Sequence, residues 1–197
     1  LDARFRHLNR PAGVDTSIVL AAIDDASISH TRRRMKVGWP WPREYYGMLL
    51  DYFREGGARV VVFDILFPEP DFPRANVSAR QSDERFATAL EAAGNVTLAV
   101  QLTASDTTTN PIDSTHVLDH SVADRVRLRS GRGALAPIPS FQKGAAALGA
   151  VNMEADGDGV VRRVPLAYQL RDSLRLPNLG VSALLAGREE GASASLL

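Results

Sequence analysis

Short apolar runs alternate along the chain with stretches of helical period, and the alternation predicts strand, helix and strand in regular order. Ser17 to Ile23 (SIVLAAI) reads as a buried strand closed by Asp24-Asp25. Val60 to Phe63 places four apolar residues in a row, as in a strand covered on both faces, and delivers Asp64 to its carboxyl end. Pro68 and Pro70 stop that strand and open a stiff acidic loop with Glu69 and Asp71. Asn95 to Val100 (NVTLAV) is a third strand. Between the first two, Tyr45, Tyr46, Leu49, Leu50 and Phe53 form an apolar stripe, with Pro42 at the first helical position and Gly56-Gly57 as the stop. Between the second and third, Phe86, Ala87, Leu90 and Ala93 form another, with Ser82 as N-cap, Asp83 and Glu84 in the first turn, and Gly94 as the stop. Strand-helix-strand units with short turns predict right-handed parallel crossovers. The fold class is therefore α/β: three layers, a largely parallel sheet with helices on both faces.

Leu1, Phe5 and Leu8 sit at helical spacing, so residues 1–10 form a predicted helix ended by Pro11 and Gly13. Residues 11–187 form one domain, with an excursion over 103–136 whose poverty in apolar residues predicts mobility. Val126 to Arg129 alternates like an edge strand, and a short helix starts at Ser140. Gly149 to Met153 and Val160 to Leu170 are expected to pair as a late β-hairpin across the turn Glu154 to Gly159, and Asn178 caps a last helix over Leu179 to Ala186. The segment 188–197 reads as a truncated C-terminal piece, and the abrupt ends as those of an excised fragment.

Composition narrows the chemistry. The chain has 23 basic and 23 acidic residues, for zero net charge, which argues against nucleic acid as a partner. It has no cysteine, which excludes disulfides, thiolate metal sites and thiol catalysis. No phosphate-binding glycine loop follows the early strands, and no Ser-His-Asp elbow is present. The strand-end acids Asp24, Asp25 and Asp64 are candidate ligands for a hard cation or a cationic molecule, or else helix caps and partners for arginine. Trp39-Pro40-Trp41-Pro42-Arg43 holds two indoles and a guanidinium on a stiff backbone, either as an aromatic wall beside that crevice or as a plug at the sheet edge. Asp64 is expected to accept hydrogen bonds from Arg43 or Arg162. Glu154, Asp156, Asp158 and Gly159 imitate the start of an EF-hand loop, but Pro165 stands where its bidentate glutamate belongs, which leaves a tight turn.

The motifs IDD at Ile23–Asp25, GWPWPR at Gly38–Arg43, GARVVVFDILFPEPD at Gly57–Asp71, SDERFATAL at Ser82–Leu90, GAVNMEADGDGVVRRVPL at Gly149–Leu166 and PNLGVSALLA at Pro177–Ala186 occur in order. Together they resemble a CHASE type-2 domain over about residues 2 to 187. The resemblance implies a sensory module on the periplasmic or extracellular face of the bacterial inner membrane, with residues 1–10 as its juxtamembrane helix. It also implies an output such as a nucleotide cyclase, diguanylate cyclase or kinase, a small-molecule or ion ligand, a homodimer, no catalysis and no cofactor. The residues at its motif positions are Asp24, Asp25, Trp39, Arg43, Asp64, Asp71, Asp158 and Arg162. A phosphorelay receiver with Asp64 as phosphoacceptor is the competing reading, since Asp24-Asp25, Asp64-Ile65 and Pro68 fit its pattern. A receiver, however, places a further strand and helix between those acids, where this chain has one loop and one helix. A metal-dependent hydrolase is a weaker competitor, because no base or nucleophile accompanies the acids.

Overall fold

The structure, a computed structural model, describes residues 16–74, 78–118, 128–171 and 174–187. The predicted juxtamembrane helix and the C-terminal segment lie outside the described residues. The chain divides into two compact units, Leu1–Trp41 and Pro42–Leu197.

In the first unit, helix α1 (Asp25–Arg34) starts at Asp24, whose side chain caps it, and ends on Arg32, Arg33 and Arg34, which suit the negative end of the helix dipole. Ser17 to Ile23 corrects the sequence reading: it forms no strand, and Ile18, Val19 and Leu20 stand 78%, 84% and 90% exposed. A strand exists only through its ladder partner, and none among the described residues pairs with this segment.

The second unit contains helix α2 (Arg43–Glu55), strand β1 (Val61–Phe63), helix α3 (Ala79–Ala93) and strand β2 (Val96–Thr103). Strands β3 (Arg129–Gly131) and β4 (Gly133–Leu135) follow, then helix α4 (Pro139–Gly144), strands β5 (Ala147–Ala150), β6 (Ala167–Leu170) and β7 (Leu174–Pro177), and helix α5 (Leu179–Ala186). Both β1 and β5 run parallel to β2 and pair with overlapping stretches of it, Val61 opposite Val96 and Ala147 opposite Thr97, so β2 lies between them. Beyond the end of β5 the Asn152 side chain takes over the ladder, accepting from Leu102 N at 2.8 Å and donating to Leu102 O at 2.8 Å. β4 joins the same strand antiparallel over Gln101–Thr103. The β1-α3-β2 and β2-α4-β5 units are thus parallel crossovers, and the fold is α/β.

Strand pleating separates the faces. Phe63 points into an aromatic cluster with Tyr46, Phe67, Phe86 and Phe141, whose ring centroids lie between 4.9 Å (Phe86–Phe141) and 6.0 Å (Phe63–Phe67), mostly edge to face. All five are buried. Helices α2, α3 and α4 supply Tyr46, Phe86 and Phe141 from that side. Val60 points the other way, and a Cβ at Gly187 would fall 2.8 Å from it, which places the end of α5 on the opposite face. On that face Gly149 is required: a Cβ there would lie 2.5 Å from Leu179 Cα.

Four further expectations change. Helix α3 begins a turn earlier than read, capped by Ser78, because Ser82 is spent on a tertiary contact. Pro42 is the N-cap of α2 rather than its first residue. The late hairpin is present, but it joins β6 to β7 in a separate sheet in which β3 runs parallel to β6. Residues 151–166 form no strand with β5, and Val160, Val161 and Val164 remain exposed. The described part of the excursion is also tied down: Gln142, buried on α4, donates to Pro111 O and Pro137 O at 2.8 and 2.7 Å and accepts from Asp113 N at 3.0 Å. Side-chain amides thus hold a segment that lacks apolar anchors.

Candidate functional site

The loop leaving β1 carries Asp71 under the amino ends of two helices. Its Oδ2 accepts from Arg43 N at 3.0 Å and from Ser82 Oγ at 2.5 Å, and its Oδ1 accepts from Phe72 N and Arg74 Nη1, both at 2.8 Å. The first amide of α2 has no intrahelical partner, and Pro42 offers no side-chain cap, so Asp71 caps that helix from 28 residues away. Ser82 extends the cap by accepting from Glu44 N at 3.2 Å. Glu44 is itself paired with Arg85 of α3. The Asp71 amide in turn donates to both oxygens of Asp83, at 3.2 and 3.1 Å. One carboxylate therefore joins the β1 loop, α2 and α3, and it is only 5% exposed.

Burial pushes the Asp71 carboxyl up, but its bonds from Ser82, the Arg43 amide, Arg74 and the Phe72 amide outweigh burial and hold it below the ordinary carboxylate value. Asp83 moves the other way. Burial raises it, the neighbouring Asp71 charge adds to the rise, and the Asp71 amide and Arg43 only partly oppose it. The Arg43 guanidinium lies 4.6 Å over the Phe67 ring, and its buried Nε finds no hydrogen-bond partner among the described residues.

The other candidates fall elsewhere. Asp24 is a local cap, its Oδ1 accepting from Ser27 N at 2.8 Å and Ser27 Oγ at 2.6 Å, and Asp25 stands exposed in the first turn of α1. The Trp39 and Trp41 rings meet edge to face with centroids 5.8 Å apart, and Trp41 Nε1 donates to Thr31 Oγ1 at 3.0 Å. Asp64 is exposed and makes no hydrogen bond or ion pair among the described residues. The expected bond to Asp64 from Arg43 or Arg162 is not formed, for a physical reason in each case: Arg43 stacks on Phe67, and Arg162 is held by Asp156 at 3.1 Å and Asp158 at 2.7 Å. The Glu154 to Gly159 turn closes through Asp156 N to Val160 O at 2.9 Å, with Gly159 at φ 80°, as a glycine tolerates. Among the described residues, no three His, Cys, Asp or Glu side chains gather as a metal site.

Reading the sequence missed Ser82, Asp83, Glu44, Arg74 and Arg85 as members of one network. Spacing carried part of the signal: Asp83 lies three and seven residues before Phe86 and Leu90, on the buried stripe of the same helix.

Searches of curated proteins and of solved structures each return no match. No helix among the described residues is long and apolar enough to cross a membrane. The family model of the CHASE2 domain, an extracytoplasmic sensory domain of signalling receptors, matches residues 1–195, and the chain belongs to that family.

Proposed function

We propose that this domain is the extracytoplasmic ligand sensor of a bacterial transmembrane receptor and that it works as a homodimer relaying to a cytoplasmic cyclase or kinase. The observation that carries the reading is the family match across residues 1–195. The Asp71 network supports it in physical terms: a few polar bonds hold the start of α2 and the first turn of α3 against the β1 loop. A ligand that binds one arrangement of those elements better than another shifts their populations by its differential affinity.

The test is the second-messenger or phosphorylation output of a full-length receptor carrying this domain, compared with the same receptor bearing Asp71→Asn. Output that changes while expression and membrane insertion stay constant supports the reading. Output that is identical in both, and unresponsive to deletion of the domain, overturns it. Pairing of protomers is tested by cysteine cross-linking at Leu1, Phe5 and Leu8 in the full-length receptor, where a homodimer gives a cross-linked pair at one or more of these positions.

A further inference from the structure

Of the carboxylates around Asp71, one is left without a direct ion pair among the described residues. Arg74 pairs with Asp71, Arg85 with Glu44 and Arg80 with Glu84, while Arg43 lies over Phe67. Asp83 is 8% exposed and forms no ion pair among the described residues. Among the described residues both its oxygens share a single donor, the Asp71 amide at 3.2 and 3.1 Å, which uses little of their acceptor capacity. A buried carboxylate in that state is costly, and its raised pKa reflects the cost. Asp83 also lines an open cavity of about 450 Å³, and Pro70, Ala79, Ala87 and Ile138 give that cavity a mostly apolar wall.

We propose that this cavity is the ligand site of the sensor and takes a small organic cation, with an ammonium or amidinium group donating to Asp83 and a compact apolar body against Ala87 and Ile138. The proposal rests on the sensory reading above and adds a ligand class to it. An anion is disfavoured: Arg80 and Glu84, which both line the space, pair with each other at 2.7 Å, and Asp83 is the acid of the lining that has no ion pair among the described residues. A neutral apolar molecule would add no donor to Asp83, leaving only the Asp71 amide and the through-space charge of Arg43 against its carboxylate. A cation supplies the missing partner at the point where the β1 loop meets α3, so its binding bears directly on the Asp71 contacts.

The experiment uses the 197-residue chain and benzylammonium as the probe, with benzyl alcohol and benzoate as isosteric controls, followed by calorimetry and thermal shift. The expected result is that benzylammonium binds ~10-fold or more tightly than benzyl alcohol, as one charge-assisted bond allows, and that benzoate does not bind. Asp83→Asn, which keeps an acceptor for the Asp71 amide, brings benzylammonium to the level of the alcohol. Ala87→Phe, which fills the cavity without altering charge, abolishes binding of both. Equal binding of amine and alcohol, amine binding that survives Asp83→Asn, or no saturable binding of benzylammonium overturns the proposal. In those cases a receptor whose output still responds to Asp71→Asn leaves the sensory reading standing.

Discussion

Asp71 and Asp158 are both carboxylates bound to an arginine, but one is built into the interior and the other lies on a turn. The Asp71 side chain is 2% exposed and the Asp158 side chain 55%. Asp71 draws on Arg43 and Ser82, 28 and 11 residues away, as well as on the adjacent Phe72 and Arg74. Asp158 draws on Arg162, four residues on, and on the Val160 amide. The Arg162 bonds bring the Asp158 pKa down to about 2, and Asp71 is lowered too, so the two are displaced in the same direction. The consequences differ. At the surface, water and salt screen the pair and the turn persists without it. In the interior, the same kind of bond satisfies the first amide of α2 and fixes Ser82 of α3 against it.

The largest expected effect follows from removing the inner carboxylate. Asp71→Ala takes the acceptor from the Arg43 amide and from Ser82 and is expected to cost about 3 kcal/mol, roughly 6–12 °C in Tm for a chain of this size. A change under about 1 kcal/mol in denaturant unfolding would erase the contrast with Asp158. Next is Ser82→Ala, which removes one donor to Asp71 and one acceptor for Glu44 and is expected to cost about 1–2 kcal/mol by the same measurement. Asp83→Asn comes third and sharpens the comparison through pH. Because the folded pKa of Asp83 is raised, its favourable contribution is complete below its unfolded value and is lost as pH rises through the folded value. Asp71, being lowered, contributes above its unfolded value and loses that contribution as pH falls through the folded one. The variant is therefore expected to equal or exceed the parent in stability at pH 7, with the difference shrinking as the solution is acidified toward the ordinary carboxylate range. A parent more stable than the variant at neutral pH, by urea titration at several pH values, would contradict this. The smallest effect is at the turn: Arg162→Ala is expected to leave Tm unchanged within scan error at any salt concentration.

Local chemistry was legible in the sequence, and tertiary chemistry only in part. The runs Val60–Phe63 and Asn95–Val100 announce strands by their apolar content, and β2 is buried on both faces, whereas β1 is covered on one, with Val62 42% exposed. Gly94 at φ 65° and the Asn178 cap are read from single positions because their partners lie within four residues. Ser17–Ile23 carries the same apolar signal without a ladder, since periodicity cannot supply a partner. Ser78 and Ser82 sit one helical turn apart and either can cap, so the choice was made by Asp71, 11 residues from Ser82. Asp71 itself stands out in the sequence as an acid after a proline-rich strand end. Its partners do not, because a backbone amide of α2 and a serine of α3 carry no mark of the acid that binds them.

The claim at the centre of this account is that Asp71 is the ionised hub and Asp83 the uncompensated neighbour. Carbon-detected NMR titration of the two side-chain carboxyl groups tests it most directly. The account predicts that Asp71 titrates below the ordinary aspartate value of 3.8 and Asp83 above it. The reverse order, or two carboxyls that both titrate at the ordinary value, would contradict it.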